Sequence, residues 1–136
     1  MTHAMMIEHY GGPEVLQLKE ISPGQPGPGE ALVRHAVVGL NFIDVYHRRG
    51  LYQLPSLPAV IGQEAAARVE AIGPNVTEVS VGDRVAYAGS TGAYSEARIV
   101  PAPRLVKLPD GITDQQAAAM MLKGMTAEYL LRRTYD

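Results

Sequence analysis

Cysteine and tryptophan are missing from the sequence altogether. Without cysteine there is no disulfide scaffold, no thiolate zinc site and no cysteine nucleophile. A charge excess is missing too: twelve Lys and Arg stand against fourteen Asp and Glu, a formal net charge of -2. A surface this balanced offers no basic patch for nucleic acid or an anionic membrane. No apolar run approaches the ~20 residues of a membrane-spanning helix. The N-terminus lacks the apolar core of a secretory signal. These features are read as a soluble, cytoplasmic protein with no nucleic-acid or membrane partner. Aromatic residues make up only 6%, so two of them close together carry weight.

What is present is a core and many turns. The chain has 136 residues, 46% of them hydrophobic. That length suits one domain, burying roughly 68% of its unfolded surface. The 14 glycines and 10 prolines favour short strands with tight turns. Strands are expected over Ala4–His9, Val15–Ile21, Ala31–Val38, Ile61–Ile72, Ala93–Val100 and Arg104–Leu108, with Val81–Val85 a turn into a further strand. Ser22–Gly29 and Leu54–Pro58 read as loops, because each proline biases its predecessor away from helix. A helix is expected to start at Asn41, a good N-cap, with Asp44 at its third position and Gly50 ending it. A second helix follows Thr113, which forms a capping-box pattern with Gln116. Gly124 is expected to break or bend it, and Met125–Arg133 to resume. Met125, Leu130 and Leu131 form an apolar stripe that either packs back on the strands or leads into a further domain.

Four stretches together carry a resemblance. They are Gly39-Leu40-Asn41-Phe42-Ile43-Asp44-Val45-Tyr46 with Arg48, Gly50 and Tyr52; Pro58–Gly73 with its Gly62-Gln63-Glu64; Val81-Gly82-Asp83-Arg84-Val85; and Ala117–Leu131 with Lys123-Gly124-Met125-Thr126. Their order and spacing resemble the N-terminal, GroES-like domain of the zinc-free quinone oxidoreductases in the medium-chain dehydrogenase/reductase superfamily. The resemblance implies a mainly β fold: a partly open GroES-like β-barrel with short helices. It implies a C-terminal helix leading toward an absent Rossmann domain that binds NADPH. On that reading residues 1–112 are the substrate-side domain and residues 113–136 the opening helices of the coenzyme domain. The sequence holds no Gly-x-Gly-x-x-Gly between a strand and a helix, so the phosphate cradle is expected outside this chain.

The resemblance also implies an activity, hydride transfer from NADPH to a quinone, with this fragment alone inactive. The full-length protein would be a homodimer and the fragment a monomer. Zinc-dependent relatives carry a Cys in the Asn41–Asp44 region and a His in a Gly-His-Glu motif. Here the motif is Gly62-Gln63-Glu64, and no metal site is expected. The catalytic candidates are Tyr46 and Tyr52, whose phenols offer a flat face to a quinone ring and a hydroxyl to its oxygen. The coenzyme-binding candidates are Asn41, Phe42, Asp44, Tyr46, Gln63, Thr126 and Tyr129. Each has a structural alternative. Asn41 and Asp44 cap a helix, the tyrosines pack, and Thr126 serves as an N-cap after Gly124. Glu64 is read as a hydrogen-bonding scaffold, and Lys123 as a solvated helix residue within reach of a phosphate. Two other functions stay open: a stand-alone GroES-like binding module, and a zinc-free enoyl reductase.

Overall fold

Alternation of β-prone runs with glycine and proline turns folds the chain into short antiparallel strands. A computed structural model describes residues 1–135. The strands among them are β1 (Thr2–Ile7), β2 (Gln17–Ile21), β3 (Glu30–Gly39), β4 (Ala59–Val60), β5 (Glu64–Ile72), β6 (Arg84–Ala88), β7 (Ala97–Pro101) and β8 (Val106–Lys107). The helices are α1 (Phe42–Arg49) and α2 (Asp114–Tyr129). A small sheet has the order β2-β1-β4, and a larger one the order β7-β3-β5-β6-β8. A bridge between Ala4 and Ser95 joins the two. The larger sheet ends in β7 and β8 without pairing them, so the barrel is partly open.

The long central pair β3 and β5 sets the core. Val33 lies opposite Val69 and His35 opposite Ala67, with bulges between Leu32 and Val33 and between His35 and Val37. One face of the pair is sealed by Ala31, Val33, Ala65, Ala67, Val69, Val85, Tyr87 and Val100, all buried. His35 is drawn into this layer: Nδ1 meets the Ser95 carbonyl oxygen at 2.5 Å and Nε2 meets Tyr87 Oη at 2.8 Å. Burial, with the nearby Arg98 charge, holds the imidazole down at about 4, although the Ser95 hydrogen bond works against it.

Helix α2 lies on the other face of the sheet, over small side chains. Ala117 and Ala118 pack on Ala66 and Ala86, with Val37, Leu108, Ile112 and Met121 around them. This explains the alanine run in β5, which brings the sheet within reach of a helix backbone. Two buried alanine methyls contribute only on the order of 1–2 kcal/mol, so polar contacts must help to hold α2. At its start Thr113 Oγ1 accepts from Gln116 N–H (3.1 Å) and Gln116 Oε1 accepts from Thr113 N–H (2.9 Å). Arg84 on β6 donates to Asp114 Oδ1 and to the Ile112 carbonyl oxygen, at 2.8 and 2.7 Å.

Several expected elements differ. Gly124 does not break α2, which runs unbroken through it; the propensity cost of one glycine, ~1 kcal/mol, is too small to end a helix by itself. Val15 lies in a 3₁₀ turn, Pro13–Val15, so β2 starts later. β5 begins at Glu64, not Ile61, because Gly62 takes a positive φ of 97°. Residues 93–96 stay out of β7: the Ala93 and Tyr94 N–H groups donate to the Gly62 and Ile61 carbonyls instead. Past Lys123 the apolar side chains do not pack back on the strands: Met125, Tyr129, Leu130 and Leu131 are exposed.

Candidate active site

Helix α1 leaves the end of β3 through Leu40 and Asn41. Asn41 has an extended backbone and Asp44 stands three residues on, in a capping-box arrangement. Its clear half is the Asp44 carboxylate, whose Oδ2 accepts from the Asn41 N–H at 3.0 Å. Gly50, at φ 77°, ends the helix in the left-handed region, where glycine carries no Cβ penalty.

The Asn41 side chain turns away from the helix it starts. Its Nδ2 donates to Glu64 Oε1 at 2.8 Å, and its Oδ1 accepts from Lys123 Nζ at 2.8 Å. Lys123 Nζ also lies 3.2 Å from Glu64 Oε1. The second Glu64 oxygen, Oε2, accepts from the Leu122 backbone N–H at 2.6 Å. Glu64 is fully buried. An unpaired carboxylate there would cost several kcal/mol in desolvation; one ammonium and two further N–H donors offset it. The flanking charges fix the Asn41 amide, its nitrogen toward the carboxylate and its oxygen toward the ammonium. One amide N–H and one oxygen lone pair remain for a ligand.

Lys123 is solvated, as the sequence reading has it, but it is also anchored. Its side chain is 59% exposed, yet its ammonium is anchored to two side chains from other elements. Beneath Asn41, Asp44 is buried and Tyr94 Oη donates to its Oδ2 at 2.7 Å. Asp44 Oδ1 is buried without a protein partner. Burial, together with the Asp44 hydrogen bond and charge, pushes the Tyr94 hydroxyl well above the ordinary phenol range.

An aromatic row starts beside this polar group. The Phe42 and Tyr46 rings meet edge-on at 5.2 Å between centroids, and Tyr46 and Tyr52 at 5.3 Å. Phe42 and Tyr52 are exposed and Tyr46 is half-buried, so the row presents ring surface to solvent. Helical spacing brings Phe42 against Tyr46, and the turn after Gly50 folds Tyr52 back.

Of the expected site residues, the structure brings Asn41, Phe42, Asp44, Tyr46 and Tyr52 into one neighbourhood. Gln63 is next to Glu64 in the chain, but its Nε2 donates to Thr91 Oγ1 (2.8 Å) in the turn between β6 and β7. Thr126 is three residues past Lys123 on α2, which puts both on one side of the helix. Its hydroxyl donates to the Leu122 carbonyl oxygen (2.8 Å), so it is a mid-helix residue and no N-cap. Tyr129 lies exposed nearly a turn further on. Sequence reasoning missed Tyr94 and Thr91, whose contacts are too far away in sequence to leave a local pattern. Among the described residues no cluster of three or more His, Asp or Glu could hold a metal ion.

A groove of about 600 Å³ opens beside this region. Met5, Leu18, Val38 and Leu40 line it, and it reaches the site only at Gly39, Leu40 and Tyr94. Its walls are mostly apolar.

Comparisons with known proteins bear on the family and the fold. Residues 27–110 match the alcohol dehydrogenase GroES-like domain family. A quinone oxidoreductase of Pseudomonas aeruginosa is 54% identical over 100% of this chain and 42% of its own length. The crystal structure of a Pseudomonas syringae quinone oxidoreductase superposes with a TM-score of 0.97 at 51% identity, covering 100% of this chain and 42% of that one. The Escherichia coli quinone oxidoreductase complexed with NADPH gives a TM-score of 0.96 at 45% identity, over 98% of this chain and 41% of that one. The chain thus spans less than half the length of these relatives. It belongs to the alcohol dehydrogenase GroES-like domain family, and its likeness to quinone oxidoreductases runs through its whole length.

Proposed function

We propose that this chain is the substrate-side part of an NADPH-dependent quinone reductase. Residues 1–112 form that domain on this reading, and residues 113–136 begin the part that holds the coenzyme. The observation that carries the proposal is the aromatic row Phe42–Tyr46–Tyr52 beside the Asn41–Glu64–Lys123 network. A flat, poorly hydrated ring fits the row, and a polar ring edge fits the network.

The residues present suit one end of the coenzyme. Asn41 has a spare donor and a spare acceptor, matching an amide-bearing nicotinamide ring. Phe42 and Tyr46 offer ring faces close by, and on this reading Thr126 and Tyr129, about one to two turns along α2 from Lys123, would meet the coenzyme from the other side. Asp44 positions: it holds the Asn41 backbone and the Tyr94 hydroxyl. Gln63 braces the 89–92 turn and completes the rim. The sequence has no glycine-rich phosphate loop, so this chain would hold the nicotinamide end and not the pyrophosphate.

When bound, the coenzyme supplies a hydride. Because the Tyr46 and Tyr52 rings stand edge-on to each other, one lies against the quinone face while the other donates its hydroxyl to the quinone oxygen, which orients the ring for attack. Quinones accept hydride readily and need little polarisation, so a reaction without zinc fits a Gln63-Glu64 pair in place of a metal-binding histidine. The protein acts in the cytoplasm on a small-molecule quinone on this reading.

The test is NADPH oxidation by the full-length gene product with a simple benzoquinone. A Tyr46→Phe/Tyr52→Phe double variant is expected to lose at least about tenfold in kcat/KM, a little over 1 kcal/mol of transition-state stabilisation. Turnover equal to the unmodified protein would overturn the tyrosine roles. A tenfold preference for enoyl thioesters over quinones would overturn the substrate class.

A further inference from the structure

We infer that the Lys123 ammonium stabilises the negative charge that builds on the substrate carbonyl oxygen during reduction. This rests on the reductase reading above and adds a residue to it.

The geometry has three parts. First, Lys123 Nζ is fixed, held at 2.8 Å by Asn41 Oδ1 and at 3.2 Å by Glu64 Oε1. An ammonium has three N–H donors, so one remains. Second, the arrangement is layered from inside to out: Glu64 fully buried, Asn41 8% exposed and the Lys123 side chain 59% exposed. The unused N–H therefore belongs to the group nearest solvent. Third, the aromatic row begins at Phe42, the residue after Asn41. Asn41, which holds the ammonium, is thus the residue from which the row starts, and on the reductase reading the ring bound on the row turns its oxygen toward that end.

A surface lysine of this length ordinarily loses rotamer freedom to make such contacts and gains little. Here a fully buried carboxylate and an oriented amide hold the charge in place beforehand. Pre-placed charge is what stabilises a developing oxyanion, since no reorganisation is needed when the charge appears. Glu64 then acts as a positioning residue: it anchors the ammonium from below without touching substrate.

The step balances as follows. The C–H bond of the reduced coenzyme breaks and its hydride forms an O–H bond at one quinone oxygen, leaving the coenzyme oxidised by two electrons. The electron pair passes through the ring, which becomes aromatic, and the π pair of the opposite carbonyl moves onto its oxygen as a phenolate that faces the ammonium. Water gives a proton to that oxygen and leaves as hydroxide, completing the hydroquinone. Lys123 keeps its proton throughout.

The experiment uses the full-length protein. Two variants, Lys123→Met and Lys123→Ala, are compared with unmodified enzyme for kcat and for NADPH affinity by fluorescence titration. Removing one oxyanion donor elsewhere costs on the order of 10²–10³ in kcat. A loss of about 100-fold is expected, with NADPH affinity held within about threefold, and methylammonium should restore at least about tenfold to Lys123→Ala. A readout without turnover uses 4-nitrophenolate as a stable oxyanion against the protein with NADP⁺. Both variants should bind it at least about tenfold more weakly, and uncharged 4-nitroanisole equally well. The inference is overturned if kcat stays within threefold, if weaker NADPH binding accounts for the loss, or if phenolate binding is unchanged in variants with an unaltered melting temperature. If the unmodified protein does not reduce quinones, the reductase reading itself fails; the phenolate titration still judges the ammonium.

Discussion

Tyr94 Oη donates to Asp44 Oδ2 at 2.7 Å, across 50 residues of sequence. This bond ties the loop before β7 to the first turn of α1. The same oxygen accepts from the Asn41 N–H, so Tyr94 also steadies the residue that heads the candidate site.

Tyr94→Phe removes one of the two donors to a buried carboxylate. Hydrogen bonds to charged groups contribute roughly 1.5–3 kcal/mol. The variant is expected to lose stability in that range by urea unfolding. A midpoint equal to the unmodified protein would show that Asp44 finds another donor.

His35 predicts acid sensitivity. Its native imidazole is held down at about 4, against an ordinary value of 6.5, so the unfolded chain takes the proton first. Stability from this residue is complete above about pH 6.5 and falls as the pH drops toward 4, by on the order of 3 kcal/mol. His35→Gln, which cannot titrate, should show a flatter profile over that window in urea midpoints measured from pH 7 to 4. Parallel profiles would exclude His35 as the cause.

Gly39 is expected to tolerate no side chain. A Cβ there would run into the Ala118 carbonyl oxygen on α2 and the Glu64 side chain. Gly39→Ala should cost 1–3 kcal/mol or more, the range for overpacking. Gly111→Ala, where a Cβ would meet nothing within 4 Å, is the matched control and should be near neutral. Thermal unfolding of the two variants decides it.

The isolated chain is expected to bind NADPH poorly, because it has no glycine-rich loop for the phosphates. Calorimetry checks this directly. Micromolar or tighter affinity would mean that the residues around Asn41 and Lys123 hold more of the coenzyme than the nicotinamide end.

Local chemistry made much of the fold readable. Asn41, Asp44 and Gly50 marked α1, and Thr113 with Gln116 marked the start of α2. The misreadings have physical origins. Gly124 stays helical because the ~1 kcal/mol cost of one glycine is too small to end a helix by itself. Ala93 and Tyr94 spend their N–H groups on the Gly62 and Ile61 carbonyls, and Glu96 its own on the His3 carbonyl, long-range bonds that no propensity shows. The site was readable as far as residue types and motif went. What the sequence could not show was that Lys123 reaches Asn41 from 82 residues away, because nothing in a lysine's neighbours tells where a four-carbon stem ends.

The contacts of Glu64 make it a phase gauge for α2. Leu122 and Lys123 follow one another around the helix by about 100°, yet one carboxylate meets the backbone of the first and the ammonium of the second. Both contacts form at a single rotation and a single height of the helix on the sheet. Inserting one alanine between Ala119 and Leu122 would turn everything beyond it by about 100° and raise it about 1.5 Å. The barrel therefore dictates the direction in which Thr126 and Tyr129 point.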